Sequence, residues 1–164
     1  MLARYQDSFD RRVREGRIVE GHGDLRPEHV CLAPPPPLAI IDCLEFSPEY
    51  RTLDTVDELG FLALECERLG APEFGNVLLE TYGAVTGDSP GAALVHFYQS
   101  YRAAVRAKIA AWHLREEIFR DSPKWMDRAR QYLDRAQQHA RRAEHAFQAS
   151  ERQASSSSLI DPPV

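Results

Sequence analysis

His22-Gly23-Asp24-Leu25-Arg26-Pro27-Glu28-His29-Val30, followed by Leu38-Ala39-Ile40-Ile41-Asp42, is the stretch on which the reading of this chain turns. A polar loop at 21–29 precedes a short apolar strand, Val30 to Leu32. Pro34 to Pro37 form a turn that cannot donate backbone hydrogen bonds. A second apolar strand, Leu38 to Ile41, ends at Asp42. The pattern predicts a small hairpin, with Asp24 in the loop before it and Asp42 at the end of its second strand. Folding back at the prolines turns both carboxylates toward one cleft. Two such carboxylates divide labour: one accepts the proton of an attacking hydroxyl, and the other holds Mg²⁺ against phosphates.

Outward from this segment the chain reads as helical. Leu2, Tyr5, Phe9 and Val13 recur at helical spacing over 2–15, with Gly16 as the stop and Arg17 to Glu20 as a short strand or connector. Asp54 suits the N-cap of a helix running to about Leu69, with Asp57 and Glu58 in its first turn and Gly70 ending it. Pro72 opens a helix to Thr86. Ser89-Pro90 and Ser122-Pro123 each read as N-cap plus first helical residue. The first of these helices carries a stripe of Leu94, Phe97, Tyr101, Val105, Ile109 and Trp112. The second carries Trp125, Ala129, Leu133, Ala136, Ala140, Ala143 and Phe147, whose alanines predict close helix packing. Residues 154–164, with four serines and two prolines, read as a disordered tail behind a domain at 1–153.

The 164 residues suffice for one domain with a core. No apolar run approaches the ~20 residues of a membrane span, and the charged first residues do not form a signal peptide. A cytoplasmic protein with no membrane partner is expected. Cys31, Cys43 and Cys66 form no CxxC and leave an odd count, which excludes a disulfide scaffold. The net charge of −5 argues against general nucleic-acid binding. Its distribution is uneven, with a net −9 over residues 1–100 and +5 over 101–153. A solvated helix face accounts for such a basic stretch.

His22-Gly23-Asp24-Leu25, with a polar side chain four residues on and then Val30, resembles the catalytic loop of aminoglycoside phosphotransferase-like kinases. Ile40-Ile41-Asp42 resembles their metal-binding strand end. Ile41 to Phe46, then Arg51, Asp54 and Asp57-Glu58-Leu59, resembles a bacterial branch of that family, as does Tyr101 to Lys108. The resemblance covers roughly residues 1–120. It implies an α+β, mostly α fold: a protein-kinase-like C-lobe, with a small hairpin carrying the site on four to five packed helices. It also implies transfer of the γ-phosphate of ATP or GTP to a small-molecule hydroxyl. Asp24 would be the catalytic base, braced by His22, and Asp42 the principal Mg²⁺ ligand. Asp57 would hydrogen-bond the catalytic loop from below. Glu45, three residues after Asp42, would add a metal or outer carboxylate. Arg26 and Arg51 would pair phosphates or carboxylates, with Arg26 and His29 on the nucleotide side.

Two departures carry consequences. The family usually has Asn where this chain has His29, and imidazole prefers softer metals than Mg²⁺. Metal binding is then weakened, shifted to Glu45 or Glu28, or left to Asp42 alone. Further, no GxGxxG or GxxxxGK[ST] occurs, and the two lysines, Lys108 and Lys124, lie on late helices. The chain therefore reads as a C-lobe without its nucleotide lid, incomplete or inactive in isolation: a truncated frame or fragment, a chain whose N-lobe comes from another polypeptide, or a non-catalytic relic. The rival readings are a non-catalytic binding or scaffold module and a metal-dependent hydrolase on His22, Asp24, His29 and Asp42.

Overall fold

Helix α1, Gln6–Arg14, stops at Gly16, whose φ of +67° is the left-handed turn that a helix end favours. In a computed structural model the described residues are 6–32 and 38–157, with side chains described as far as Gln153. Leu2, Tyr5 and the proline turn at 34–37 lie outside them. Strand β1, Ile18–Glu20, follows. After the loop, a single 3-10 turn at Pro27–His29 leads into β2, Val30–Cys31, which pairs antiparallel with β3, Ala39–Ile40. The expected hairpin therefore forms.

A second sheet was not anticipated. Helix α2, Pro48–Arg51, is one turn long and feeds β4, Thr52–Asp54, which pairs antiparallel with β1. The Gly21 amide donates to the Arg51 carbonyl at 2.8 Å and extends the ladder to the start of the loop. The loop at 21–29 is thus bracketed by two small sheets.

Asp54 ends β4 and caps α3, Thr55–Arg68, its carboxylate accepting the Val56 amide at 2.9 Å. Val56, Phe61 and Leu64 on this helix are fully buried, and Leu25 and Leu53 are buried as well. Each such side chain contributes about 1.5–3 kcal/mol relative to exposure. Helix α4, Pro72–Thr86, packs on α3 at the smallest residues available: a Cβ at Gly75 would stand 2.9 Å from that of Ala63. Gly87, at φ +69°, closes α4.

Arg12 is buried, as are the two carboxylates it bonds. Its Nη2 donates to Asp54 at 2.7 Å and its Nη1 to Asp88 at 2.6 Å. Tyr82 adds a hydroxyl donor to Asp88 at 2.7 Å. Buried charges persist where every charge has such partners.

Residues 1–90 and 91–164 form two compact units. Helix α5, Ala92–His113, and helix α6, Pro123–Ser157, are antiparallel, since Ser100 bonds the Ala136 carbonyl while His113 stacks on Trp125. Two expectations are corrected here. Helix α5 starts at Ala92 rather than after Ser89, because its first amide bonds run to the Gly91 carbonyl. Leu94 of the expected stripe is buried, together with Val95, Gln99, Ala103, Ala107 and Ala110, whereas Tyr101, Ile109 and Trp112 are exposed. Small residues let α6 approach, and Tyr101, Ile109 and Trp112 are left outside. On α6, Tyr132 and His139 are buried in place of the expected Leu133. Helix α6 also continues to Ser157, four residues into the stretch read as a tail, and 158–164 lie outside the described residues. The chain is mostly helical with two small sheets. No helix among the described residues is long and apolar enough to cross a membrane.

Candidate active site

A buried carboxylate holds the loop from below. Glu58, in the first turn of α3 and buried, accepts the amides of His22 at 2.7 Å, Gly23 at 2.9 Å and Leu25 at 3.2 Å. The expected support was Asp57. That residue is buried as well, and its neighbour Glu58 gathers these three amides. Three amides pointing at one carboxylate form an anion nest, and charge-assisted bonds of this kind are the strong ones. Glycine is required on both sides of His22. A Cβ at Gly21 would stand 2.5 Å from Glu58 Oε2. At Gly23, with φ +86°, it would stand 2.9 Å from the Tyr50 carbonyl.

His22 ties the loop to the hairpin. Its Nε2 lies 2.7 Å from the Ile41 carbonyl, and its Nδ1 faces the Asp24 amide at 3.3 Å. A carbonyl only accepts and an amide only donates, so Nε2 carries the hydrogen and Nδ1 the lone pair. The Leu44 amide returns to the His22 carbonyl at 3.1 Å. His22 thus braces the loop, as expected. With both ring nitrogens engaged, it does not stand as a ligand of a His/Asp metal cage.

Asp24 and Asp42 belong to one polar cluster. Arg26 Nε donates to Asp24 Oδ2 at 3.1 Å, Arg26 Nη1 to Glu28 at 2.6 Å, and Arg26 Nη2 to His29 Nε2 at 2.9 Å. The same His29 nitrogen lies 3.3 Å from Asp42 Oδ2. His29 stacks on His22 with ring centroids 5.3 Å apart. Its Nδ1 is buried without a hydrogen-bond partner among the described residues. Burial alone would raise the Glu28 carboxyl. Its own amide and the charges of Arg26, Arg68 and His29 hold it below the usual range.

The two aspartates differ in exposure. The Asp24 side chain is 22 % exposed and that of Asp42 is 76 % exposed. Asp42 has φ +64° and is the one non-glycine residue among the described residues in the left-handed region. Such strain costs on the order of 1 kcal/mol and clusters at functional sites.

Other expected participants have different work. Arg51 donates to the Leu44 carbonyl at 2.8 Å and pairs with Glu20, so it ties β1 to the segment after the hairpin. Its hydrogen bond to Glu20 raises its pKa. Glu45 is exposed. Asp42 and His29 come together as expected, but no three His, Cys, Asp or Glu side chains converge as around a metal ion among the described residues. The residue that sequence reasoning missed is Glu58. The signal was present in the adjacent acidic pair of Asp57-Glu58.

Uncharacterized proteins of Mycobacterium tuberculosis and Mycobacterium bovis are 45 % identical to this chain over 101 residues, which is 62 % of the chain and 20 % of each relative. The chain thus spans about a fifth of the length of the curated relatives it matches. No family model matches it. No solved structure matches it.

Proposed function

We propose that this chain carries the catalytic-loop half of a phosphotransferase of the aminoglycoside phosphotransferase-like, kinase-like kind, acting on a small-molecule hydroxyl with ATP or GTP. The observation that carries the reading is the continuous cluster Asp24–Arg26–His29–Asp42, held on a loop that Glu58 fixes through three amides. Phosphoryl transfer is catalysed almost entirely by positioning and electrostatics. A rigid loop with one half-buried and one exposed carboxylate suits that demand.

Asp24 orients the acceptor hydroxyl and accepts its proton. Arg26, next to it, offers guanidinium donors to phosphate oxygens. Asp42 fits Mg²⁺: its carboxylate contacts His29 through Oδ2 and its side chain is largely exposed. Mg²⁺ ordinarily takes one or two carboxylates and completes its shell with waters and phosphates. When bound, it would neutralise the charge of the transferring phosphoryl group. His29 and Glu45 are not needed as ligands in this arrangement. The acceptor class and the whole polypeptide's activity belong to the same proposal, because the nucleotide-covering elements are not among these 164 residues.

Amide-resolved NMR with millimolar MgATP or MgGTP tests the reading. Shifts should concentrate at 22–29 and 41–44 and disappear in Asp42→Asn. Shifts elsewhere, or shifts that persist in Asp42→Asn, would overturn it.

A further inference from the structure

The hairpin of α5 and α6 buries five alanines, Ala103, Ala107, Ala110, Ala129 and Ala143, beside Leu94, Val95 and Tyr132. Alanines permit close approach, but each removes little apolar area from water. Into this interface α6 sends His139, which is fully buried, and α5 sends His96 and, one turn on, the buried Gln99. His139 Nδ1 and His96 Nδ1 are 3.2 Å apart. Gln99 Oε1 is 2.9 Å from the same His96 nitrogen. The rings are tilted by 41°, so their nitrogens meet without the faces stacking.

The Gln99 oxygen only accepts, so the hydrogen in this contact lies on His96 Nδ1, facing both that oxygen and the His139 nitrogen. A tetrahedral ion with bonds of about 2.0–2.1 Å holds its ligand atoms about 3.3 Å apart. That matches the separation of the two Nδ1 atoms. Imidazole nitrogen favours borderline transition metals over Mg²⁺. Facing helices that present an i, i+3 pair and one residue across are a recurrent frame for metal sites.

We propose that His96, Gln99 and His139 form a binding site for one transition-metal ion of the Zn²⁺ class. The two Nδ1 atoms and the Gln99 amide oxygen ligate and water completes the shell; the hydrogen on His96 Nδ1 moves to Nε2 on binding, so that each ring then carries its hydrogen on Nε2. The ion pins α5 to α6 and strengthens an interface built of small side chains, as structural metals do. The site is distinct from the carboxylate cluster around Asp42, takes a softer metal, and stands independently of the phosphotransferase reading.

The test uses the full 164-residue chain, free of metal and of any histidine tag. Co²⁺ is titrated against visible absorption, and Zn²⁺ is then added in competition. One equivalent should bind with a dissociation constant below about 100 µM, with the intense visible bands of tetrahedral cobalt, and Zn²⁺ should displace it. His96→Gln should weaken binding at least tenfold, whereas His29→Gln should leave it unchanged. In the unsubstituted chain, Zn²⁺ should shift the ring-nitrogen NMR signals of His96 and His139 alone, which requires no variant to fold. Weaker binding, binding insensitive to His96→Gln, or ring shifts at His22 and His29 instead would overturn the proposal.

Discussion

The Glu58 carboxylate receives the Gly23 amide at 2.9 Å, and the same oxygen receives the His22 amide at 2.7 Å. One side chain on α3 therefore sets the backbone of the loop that presents Asp24. Removing it strands buried donors, each of which costs about 1–3 kcal/mol. Glu58→Ala should lower stability by about 2–4 kcal/mol, with Glu58→Gln losing less because it keeps one acceptor oxygen. Urea denaturation measures the loss, and hydrogen exchange at Gly23 and Leu25 should quicken. A Glu58→Ala chain that melts like the parent would contradict this role.

Gly23→Ala should destabilise more than Gly16→Ala. Both glycines sit at positive φ, +86° and +67°, where a side chain costs about 1–2 kcal/mol. At Gly16 an added Cβ meets nothing within 4 Å, but at Gly23 it meets the Tyr50 carbonyl at 2.9 Å and Leu44 at 3.0 Å. The difference between the two variants in denaturant melts isolates that contact. Equal losses would show that the backbone relaxes around Gly23.

The candidate site was only partly legible in the sequence, and the reasons are physical. The hairpin, the Asp54 cap and the bounds of α4 follow from local signals: prolines, a capping carboxylate and a terminal glycine. Strand β4 has three residues, and its identity comes from pairing with β1, some thirty residues away in sequence. Asp57 and Glu58 differ by about 100° around a helix, so spacing alone did not point to Glu58 as the acceptor of the His22, Gly23 and Leu25 amides. On α5, an alanine face and an aromatic face share the same period, and the buried one is chosen by what α6 can approach.

Acid should weaken the first unit through Asp88. Burial alone would raise its carboxyl, but the Arg12 and Tyr82 hydrogen bonds and the charges of Arg12 and Arg17 hold it below the usual value. For Arg12, burial alone would lower the pKa, and the bonds to Asp54 and Asp88 raise it well above its ordinary value. A depressed folded-state carboxyl stabilises at pH values above the unfolded value, about 3.9, and that contribution is lost as pH falls through the folded one. Asp88→Asn should cost about 3–5 kcal/mol at pH 7, as breaking a buried pair does, and the gap from the parent should narrow below pH 4. Stability measured across pH 3–7 checks this, and a constant gap would refute it.

The isolated chain should bind nucleotide weakly. It has no glycine-rich phosphate loop and no lysine ahead of Asp24. Each missing charge-assisted contact forfeits about 1.5–3 kcal/mol. Every ~1.4 kcal/mol is tenfold in affinity, so a micromolar site falls to millimolar or weaker. Calorimetry with MgATP and MgGTP should show no binding tighter than about 1 mM. Micromolar binding would mean that these residues complete a nucleotide site unaided.

In the proposed function, Asp42 holds a divalent ion within the same cluster as Asp24. Mn²⁺ takes the same hard oxygen donors as Mg²⁺, and its unpaired electrons broaden nearby NMR signals. With ATP in excess, Mn²⁺ should broaden the amides of Asp42 and Cys43 first, then those of Asp24 and Leu25, and Asp42→Asn should abolish the effect. Broadening centred away from the loop and hairpin, or undiminished in Asp42→Asn, would contradict the account.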